Sequence, residues 1–343
     1  MAPQGRTGPP PNPAAIFDVA RAHQLPYILR PGVELGVFTA TAQGGHSAGE
    51  IAKTCKASER GIRILCDSLT VMGLLTKAGN SYSLTPDSAF FLDSRSPAYF
   101  GKALKFLLHH KHLANLEKLT DTVRRGGASG DEDTFAAEDP IWVDFARGMA
   151  PMMVPAAQAM AQMLQPALAG KATPKILDIA AGHGTLGIMV ARQVPSAQVY
   201  AVDWANVLEV ARENAQGQGV GDRIHLLPGS AFAVDFGNGY DAALVTNFLH
   251  HFDAPTNESL LKKVRDSLNP GGQLIILEFV PNQDRVTPPP AAIFSMTMLS
   301  NTPRGDAYTF AELAAMCRNS GFEGARHVPL LPMPQSLVVA RKP

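Results

Sequence analysis

The sequence predicts an α/β protein: a mainly parallel sheet with helices on both faces, preceded by a smaller helical module. Three observations carry this. From Pro174 onward, short apolar runs alternate with helical patterns, and alternation of this kind builds a parallel sheet. The run Lys175-Ile176-Leu177-Asp178-Ile179 opens into a turn of small residues, Ala180-Ala181-Gly182-His183-Gly184, and a second apolar run, Val199-Tyr200-Ala201-Val202, ends in Asp203. Between Ser47 and Thr85 the order is helix, turn, helix, hairpin, a winged-helix layout.

At 343 residues the chain suggests two or three domains and a sizeable core. Hydrophobic residues make up 45% and charged residues 17%, with a formal net charge of zero. That balance gives no strong pull toward nucleic acid or an anionic membrane. Cys55, Cys66 and Cys317 are far apart. They form no metal-ligand spacing and no disulfide framework, so no metal is expected and a reducing cytoplasm is. No apolar run is long enough for a transmembrane helix. The first thirteen residues are rich in Pro and Gly without an apolar stretch, and read as a flexible tail rather than a signal peptide.

Helices are expected at 14–24 and 27–39, where apolar residues recur at helical spacing. Ser47 with Glu50 three residues on reads as a capping box that opens helix 48–55. Ser58 caps a helix over 59–72, with Ile62, Leu65, Leu69 and Met72 on one face. A hairpin follows, 74–77 and 81–85, across Ala78-Gly79-Asn80. The exposed side of helix 59–72 offers Glu59, Arg60, Arg63, Asp67 and Ser68, a mixed face rather than a basic stripe. Packing against another subunit is therefore expected ahead of DNA binding, though Arg60 and Arg63 leave room for a few phosphate contacts.

The polar run 126–133 reads as a flexible connector. Beyond it, 141–168 is helical and carries Met149, Met152, Met153, Met160 and Met163. Methionine fills irregular apolar space, so most of these residues read as core, with some left to line a pocket. Strands are expected at 175–180, 198–203, 224–228, 240–246, 272–280, 325–329 and 336–341, and helices at 185–193, 205–216, 256–268 and 309–320. Asn269-Pro270-Gly271-Gly272 is expected to stop a helix before a strand. Only 330–335 separates the last two strands, too little for a parallel crossover, so they should pair antiparallel.

A βαβ unit with a small-residue turn and an acid about 25 residues on suits a ligand that carries a ribose. The turn departs from the dinucleotide fingerprint, and Asp178 at the strand end would repel a pyrophosphate. A carboxylate there suits a ligand with an ammonium group and no phosphate, as in S-adenosyl-L-methionine. A turn whose glycines serve packing alone is the competing reading.

These residues resemble the class I S-adenosylmethionine-dependent methyltransferases. More closely, the chain is similar to the small-molecule O-methyltransferase family typified by plant caffeate O-methyltransferases and bacterial antibiotic-tailoring enzymes. The resemblance covers nearly the whole chain. It implies a flexible tail at 1–13, a winged-helix dimerisation domain at 14–110 and a helical connector lining the substrate pocket at 111–170. At 171–343 it implies a Rossmann-like, seven-stranded cofactor domain with its last strand antiparallel. It also implies a homodimer formed through the first domain.

The family's turn reads Asp-Val-Gly-Gly-Gly-x-Gly. Asp178, Gly182 and Gly184 match it, while Ala180 and Ala181 replace glycines. Asp203 matches the ribose-binding acid, and Trp204 beside it would cover the adenine. Where the family has Gly-Asp-x-Phe, this chain has Gly229-Ser230-Ala231-Phe232. Ser230 can accept a hydrogen bond there, without charge assistance. Asn247, at the end of the fourth strand, joins the expected cofactor set.

The family's base lies in Leu-His-Asp-Trp. The matching stretch is Leu249-His250-His251-Phe252, which puts His250 at the base position and leaves His251 to pack or to bond backbone. Simple capping of the strand end is the competing reading for His250. Glu278 matches one acid that orients the imidazole. The second acid is replaced by Ala307, with Asp306 one residue off register. The acceptor pocket is expected from Phe145 and Met149 and from Phe294, Met298 and Asn301, which implies a large, mostly apolar, aromatic acceptor. For these runs core packing alone is the competing reading. The family also includes members that methylate carbon or nitrogen, or that decarboxylate, hydroxylate or rearrange. A ligand-sensing regulator is a third reading, motivated by the winged helix.

Overall fold

The computed structural model describes residues 12–42, 44–130 and 138–343. Most of the expected tail and the acidic end of the expected connector, 131–133, lie outside the described residues. The chain divides into two compact units, one ending at Leu104 and one beginning at Lys105. The expected connector 111–170 therefore falls within the second unit.

The first unit carries the winged-helix layout. Ser47 caps helix Ala48–Cys55 through a full capping box: its side chain accepts from Glu50 N–H, and the Glu50 carboxylate accepts from Ser47 N–H at 2.7 Å. Ser58 caps helix Glu59–Val71. The hairpin is β2 (Leu75–Ala78) with β3 (Ser81–Leu84), and a two-residue strand not expected from sequence, β1 (His46–Ser47), pairs with β3. Ile51, Ile62, Cys66, Leu69, Leu75 and Tyr82 form its core, nearly free of solvent. The helix expected over 27–39 is broken. Gly36 sits in the left-handed region at φ +69°, where the first helix, Gln24–Glu34, has ended and a second, Val37–Thr41, begins.

The second unit contains a seven-stranded sheet in the order β6-β5-β4-β7-β8-β10-β9. Its strands are β4 (Lys175–Ile179), β5 (Gln198–Asp203), β6 (Ile224–Pro228), β7 (Tyr240–Thr246), β8 (Leu268–Glu278), β9 (Glu323–Pro329) and β10 (Ser336–Arg341). The pairs among β4 to β8 are parallel, and β10 runs antiparallel to β8 and to β9, the latter as the short 330–335 connection requires. Strand β8 begins earlier than expected. Leu268 pairs with Tyr240, then Gln273 pairs with Ala242, so Asn269-Pro270-Gly271-Gly272 bulges within the strand instead of preceding it. Asn269 Nδ2 secures the bulge by donating to Gly239 O and Asp241 Oδ1.

Side-chain alternation builds two cores from one sheet. Leu177, Ile179, Val245, Ile276 and Val338 face helices Ala254–Ser267 and Phe310–Asn319. Ile176, Leu244, Ile275, Leu277 and Val339 face helices Val154–Leu168 and Thr185–Gln193. Met160 is fully buried in the second core and Met153 nearly so, so the methionine stripe is in large part packing. Each such fully buried side chain contributes about 1.5–3 kcal/mol, and truncating Ile276 to Ala would cost about 2–5 kcal/mol.

The chain builds β4, β5 and β6 outward to one side, then returns to lay β7 beside β4. The carboxyl ends of β4 and β7 therefore flank a topological switch point, where open α/β sheets bind ligands. No helix among the described residues is long and apolar enough to cross a membrane.

Candidate active site

The turn after β4 is shaped by three residues in the left-handed region: Ala180 at φ +54°, Gly182 at +57° and Gly184 at +71°. Gly184 is fixed by packing as well, since a Cβ there would lie 2.9 Å from Ala211 Cβ. Above Gly182 the space is open, and a Cβ would meet only Ala180 O, 3.9 Å away. His183, which sequence reasoning passed over, is buried and accepts from Thr185 N–H at 3.0 Å, and burial pulls its imidazole down to about 4. It therefore stays neutral and serves the start of helix Thr185–Gln193.

Asp178 lies beneath this turn and is fully buried. One oxygen accepts from Gly187 N–H at 3.2 Å, in the first turn of that helix. Its Oδ1 is buried without a partner among the described residues. Burial pushes the carboxyl up to about 7, against the lowering by the Gly187 bond and with a contribution from Asp203. Asp203 ends β5 with both oxygens held by backbone: Gly182 N–H at 2.8 Å and Trp204 N–H at 2.7 Å. Burial raises its pKa against those two bonds. Each oxygen keeps a lone pair for a further donor. The structure thus joins Asp178, Gly182, Gly184 and Asp203 in one turn. Trp204 is half-buried and packs against the cluster of Ala146, Val207 and Val210.

Ser230 and Phe232 follow β6. Lys263 anchors their loop by donating to Ala231 O at 3.0 Å and Val234 O at 2.6 Å. Ser230 Oγ accepts from Phe232 N–H at 3.3 Å. The Phe232 ring is 39% exposed and meets Phe252 and Phe248, with centroids 5.0 and 6.1 Å away. An apolar wall with one open face suits a flat ring. Phe248 and Phe252 were not expected in it.

The tightest constellation is at the ends of β7 and β8. Glu278 Oε1 accepts from Phe248 N–H at 2.9 Å and from His250 N–H at 3.3 Å. Its Oε2 lies 2.6 Å from His250 Nδ1. An ionised carboxylate only accepts, so Nδ1 carries hydrogen and Nε2 of a neutral ring is the free base. Nε2 has no hydrogen-bond partner among the described residues. Phe294 meets the imidazole edge-on at 4.9 Å and stacks on Phe279 at 4.0 Å. His251 packs 4.4 Å from His250 and edge-on to Trp142, and burial with His250 beside it keeps it neutral.

Two expected site residues sit elsewhere. Asp306 accepts from Arg285 Nη1 at 3.2 Å and from Ala307 N–H at 2.8 Å, not from the imidazole. Next to Asp306, Gly305 packs so closely on His250 O that a Cβ would come within 2.2 Å. Ala307 is buried, and Asp306 faces Arg285. Glu278 is thus the one carboxylate on His250 among the described residues. Asn301 is committed to structure: Oδ1 engages His112 Nδ1 at 2.9 Å and Asn115 Nδ2 at 3.0 Å, and Nδ2 donates to Thr297 O. Met298 is buried one turn back. Phe145 is half-buried with Phe106 and Trp142, and Met149 lines the sheet core. Asn247 engages Gln335 and Met153. Among the described residues no cluster of His, Cys, Asp and Glu could hold a metal ion.

The chain is similar to known proteins along nearly its whole length. Residues 138–323 match the family model of an O-methyltransferase domain, and 17–94 match an O-methyltransferase dimerisation domain. The 3-hydroxy-5-methyl-1-naphthoate 3-O-methyltransferase of Streptomyces sahachiroi is 29% identical over 96% of this chain and 95% of its own. A protein of Nostoc punctiforme classed among O-methyltransferases superposes with a TM-score of 0.92 at 46% identity, over 97% of this chain and all of that one. Human N-acetylserotonin methyltransferase, solved with S-adenosylmethionine, shares the fold at 21% identity and a TM-score of 0.84, over 98% of this chain and 99% of its own.

Proposed function

This chain belongs to the O-methyltransferase family, and from that premise we propose that it methylates a hydroxyl of an aromatic or polyketide-like small molecule, with His250 as general base. The enzyme is S-adenosylmethionine-dependent, as its family is. The residues present fit that group: the open cradle over Gly182, the lone pairs left on Asp203 and the Oδ1 of Asp178, unpartnered among the described residues, supply room and acceptors. Asp203 would hold the ribose, the Phe232–Phe252 wall the adenine, and the glycine turn with Asp178 the amino-acid end. When bound, S-adenosylmethionine supplies an activated methyl group.

The protein's own task is to hold the acceptor and take its proton. A phenol has a pKa of about 10, so a base within hydrogen-bond reach must receive the proton as the oxygen reacts. The observation that carries the reading is the Glu278–His250 pair, which fixes the tautomer and leaves Nε2 open. Phe294 and Phe279 beside it would position a flat acceptor, and His251 and Trp142 extend that apolar surface. The naphthoate specificity of the Streptomyces relative supports an aromatic acceptor of this kind. Assembly as a homodimer through the first unit accords with its dimerisation-domain match and with helix Ala14–Arg21. That helix buries none of its residues in the single chain and leaves Ile16 and Val19 more than 70% exposed.

Incubation with S-adenosylmethionine and a panel of hydroxynaphthoates tests the function. Products heavier by one CH2, with equimolar S-adenosylhomocysteine, are expected. S-adenosylhomocysteine release without an O-methyl product, or products altered in any other way, would reject it.

A further inference from the structure

Three residues before His250, two separate segments meet on the side chain of Asn247, and a third holds its backbone. Asn247 follows the last residue of β7, in the left-handed region at φ +51°. Its N–H donates to Leu277 O at 2.8 Å, next to Glu278. Its Nδ2 lies 3.7 Å from Met153 Sδ, on the short turn between the methionine-bearing helices. Its Oδ1 accepts from Gln335 Nε2. Gln335 leads into β10 and is only 3% exposed. Neither Gln335 nor Met153 is used by the mechanism above.

The sulfur sets the polarity of this chain. A thioether has lone pairs and no hydrogen, so only the NH2 of Asn247 can face Met153. That turns Oδ1 toward Gln335, which must answer with its own amide nitrogen. One hydrogen of the Asn247 amide is then engaged by sulfur, and the other has no partner among the described residues. Val245 pairs with Ile179, so Asn247, two residues on, stands at the sheet edge beside the glycine turn. The side chain is only partly buried.

We propose that Gln335 is a positioning residue for cofactor binding: it holds the Asn247 carboxamide so that this presents a hydrogen-bond donor, and not an acceptor, to the cofactor at the carboxyl edge of β7. The proposal rests on the reading of this crevice as the S-adenosylmethionine site.

Gln335→Glu separates polarity from simple cross-linking. A carboxylate can only accept, so the Asn247 amide must turn over, carrying its oxygen toward the crevice while the link to residue 335 survives. A purely structural link would tolerate that change. We expect Gln335→Glu to weaken S-adenosylhomocysteine binding about tenfold by calorimetry, the loss of roughly one hydrogen bond, with Tm within about 2 °C of the parent. Combined with Asn247→Ala it should weaken binding no further, because the two residues act as one unit. Should Gln335→Glu not fold, Asn247→Asp reads the same property: it still accepts from Gln335 but has no hydrogen to donate, and about tenfold weaker binding is again expected. Binding within about twofold of the parent in the folded variant, or a lowered Tm with unchanged affinity, overturns the proposal. A parent chain that binds no S-adenosylhomocysteine overturns the cofactor reading itself and this proposal with it.

Discussion

Glu278 Oε2 lies 2.6 Å from His250 Nδ1, and both side chains are almost wholly buried. The same carboxylate accepts the backbone N–H groups of Phe248 and His250. One side chain therefore shapes the loop after β7 and sets the tautomer of the imidazole that the loop carries.

Glu278→Gln tests that double role. Glutamine offers one acceptor oxygen and an NH2, so it cannot satisfy three donors. If its NH2 turns to Nδ1, hydrogen moves to Nε2 and the base is lost. Turnover should fall by about 10²–10⁴ while S-adenosylhomocysteine affinity holds within about threefold, measured by initial rates and calorimetry.

Asp306→Asn tests the displaced acid. Asp306 pairs with Arg285 at a partly exposed position, where an ion pair contributes about 0–1 kcal/mol. The expected change in kcat is less than about threefold. A loss of a hundredfold would place Asp306 in the proton path after all.

Asp178 predicts a pH dependence. Its folded pKa of about 7 lies above the usual 3.8. The folded state therefore holds its proton more tightly than the unfolded state, and this contribution to stability falls as pH rises from about 4 through about 7. Asp178→Asn mimics the neutral form and removes the slope. The Tm difference between variant and parent should move in the variant's favour between pH 5 and pH 8, and an unchanged difference would show that the carboxyl ionises freely in the fold.

Ala180 stands where the family's turn has glycine, and it adopts φ +54°. Left-handed backbone costs an alanine about 1–2 kcal/mol, partly offset because glycine is freer when unfolded. Ala180→Gly should raise stability by about 0.5–1 kcal/mol in urea unfolding. A destabilised variant would mean the methyl makes a packing contribution larger than its strain.

Much of this was legible in sequence because it is local. The capping box at Ser47 and Glu50, the acids at the carboxyl ends of β4 and β5 (Asp178, one residue before the last, and Asp203), and the antiparallel β9–β10 pair each follow from residues close along the chain. The break at Gly36 was missed because helical periodicity continues across it. Asp306 is drawn to the site by register with a motif, and Asn301 by its place just beyond the apolar run that ends at Leu299. Their side chains are committed elsewhere, that of Asp306 by Arg285 and that of Asn301 by His112 with Asn115. Met153 and Gln335 carry no local signal, because what joins them to Asn247 is tertiary.

The most direct test of the central claim is His250→Ala, read by calorimetry with S-adenosylhomocysteine and by mass analysis of hydroxynaphthoate products. Affinity within about threefold of the parent, with methyl transfer reduced by about 10²–10⁴, is the predicted result. Methyl transfer at near-parent rates would contradict the assignment of His250 Nε2 as the group that takes the proton.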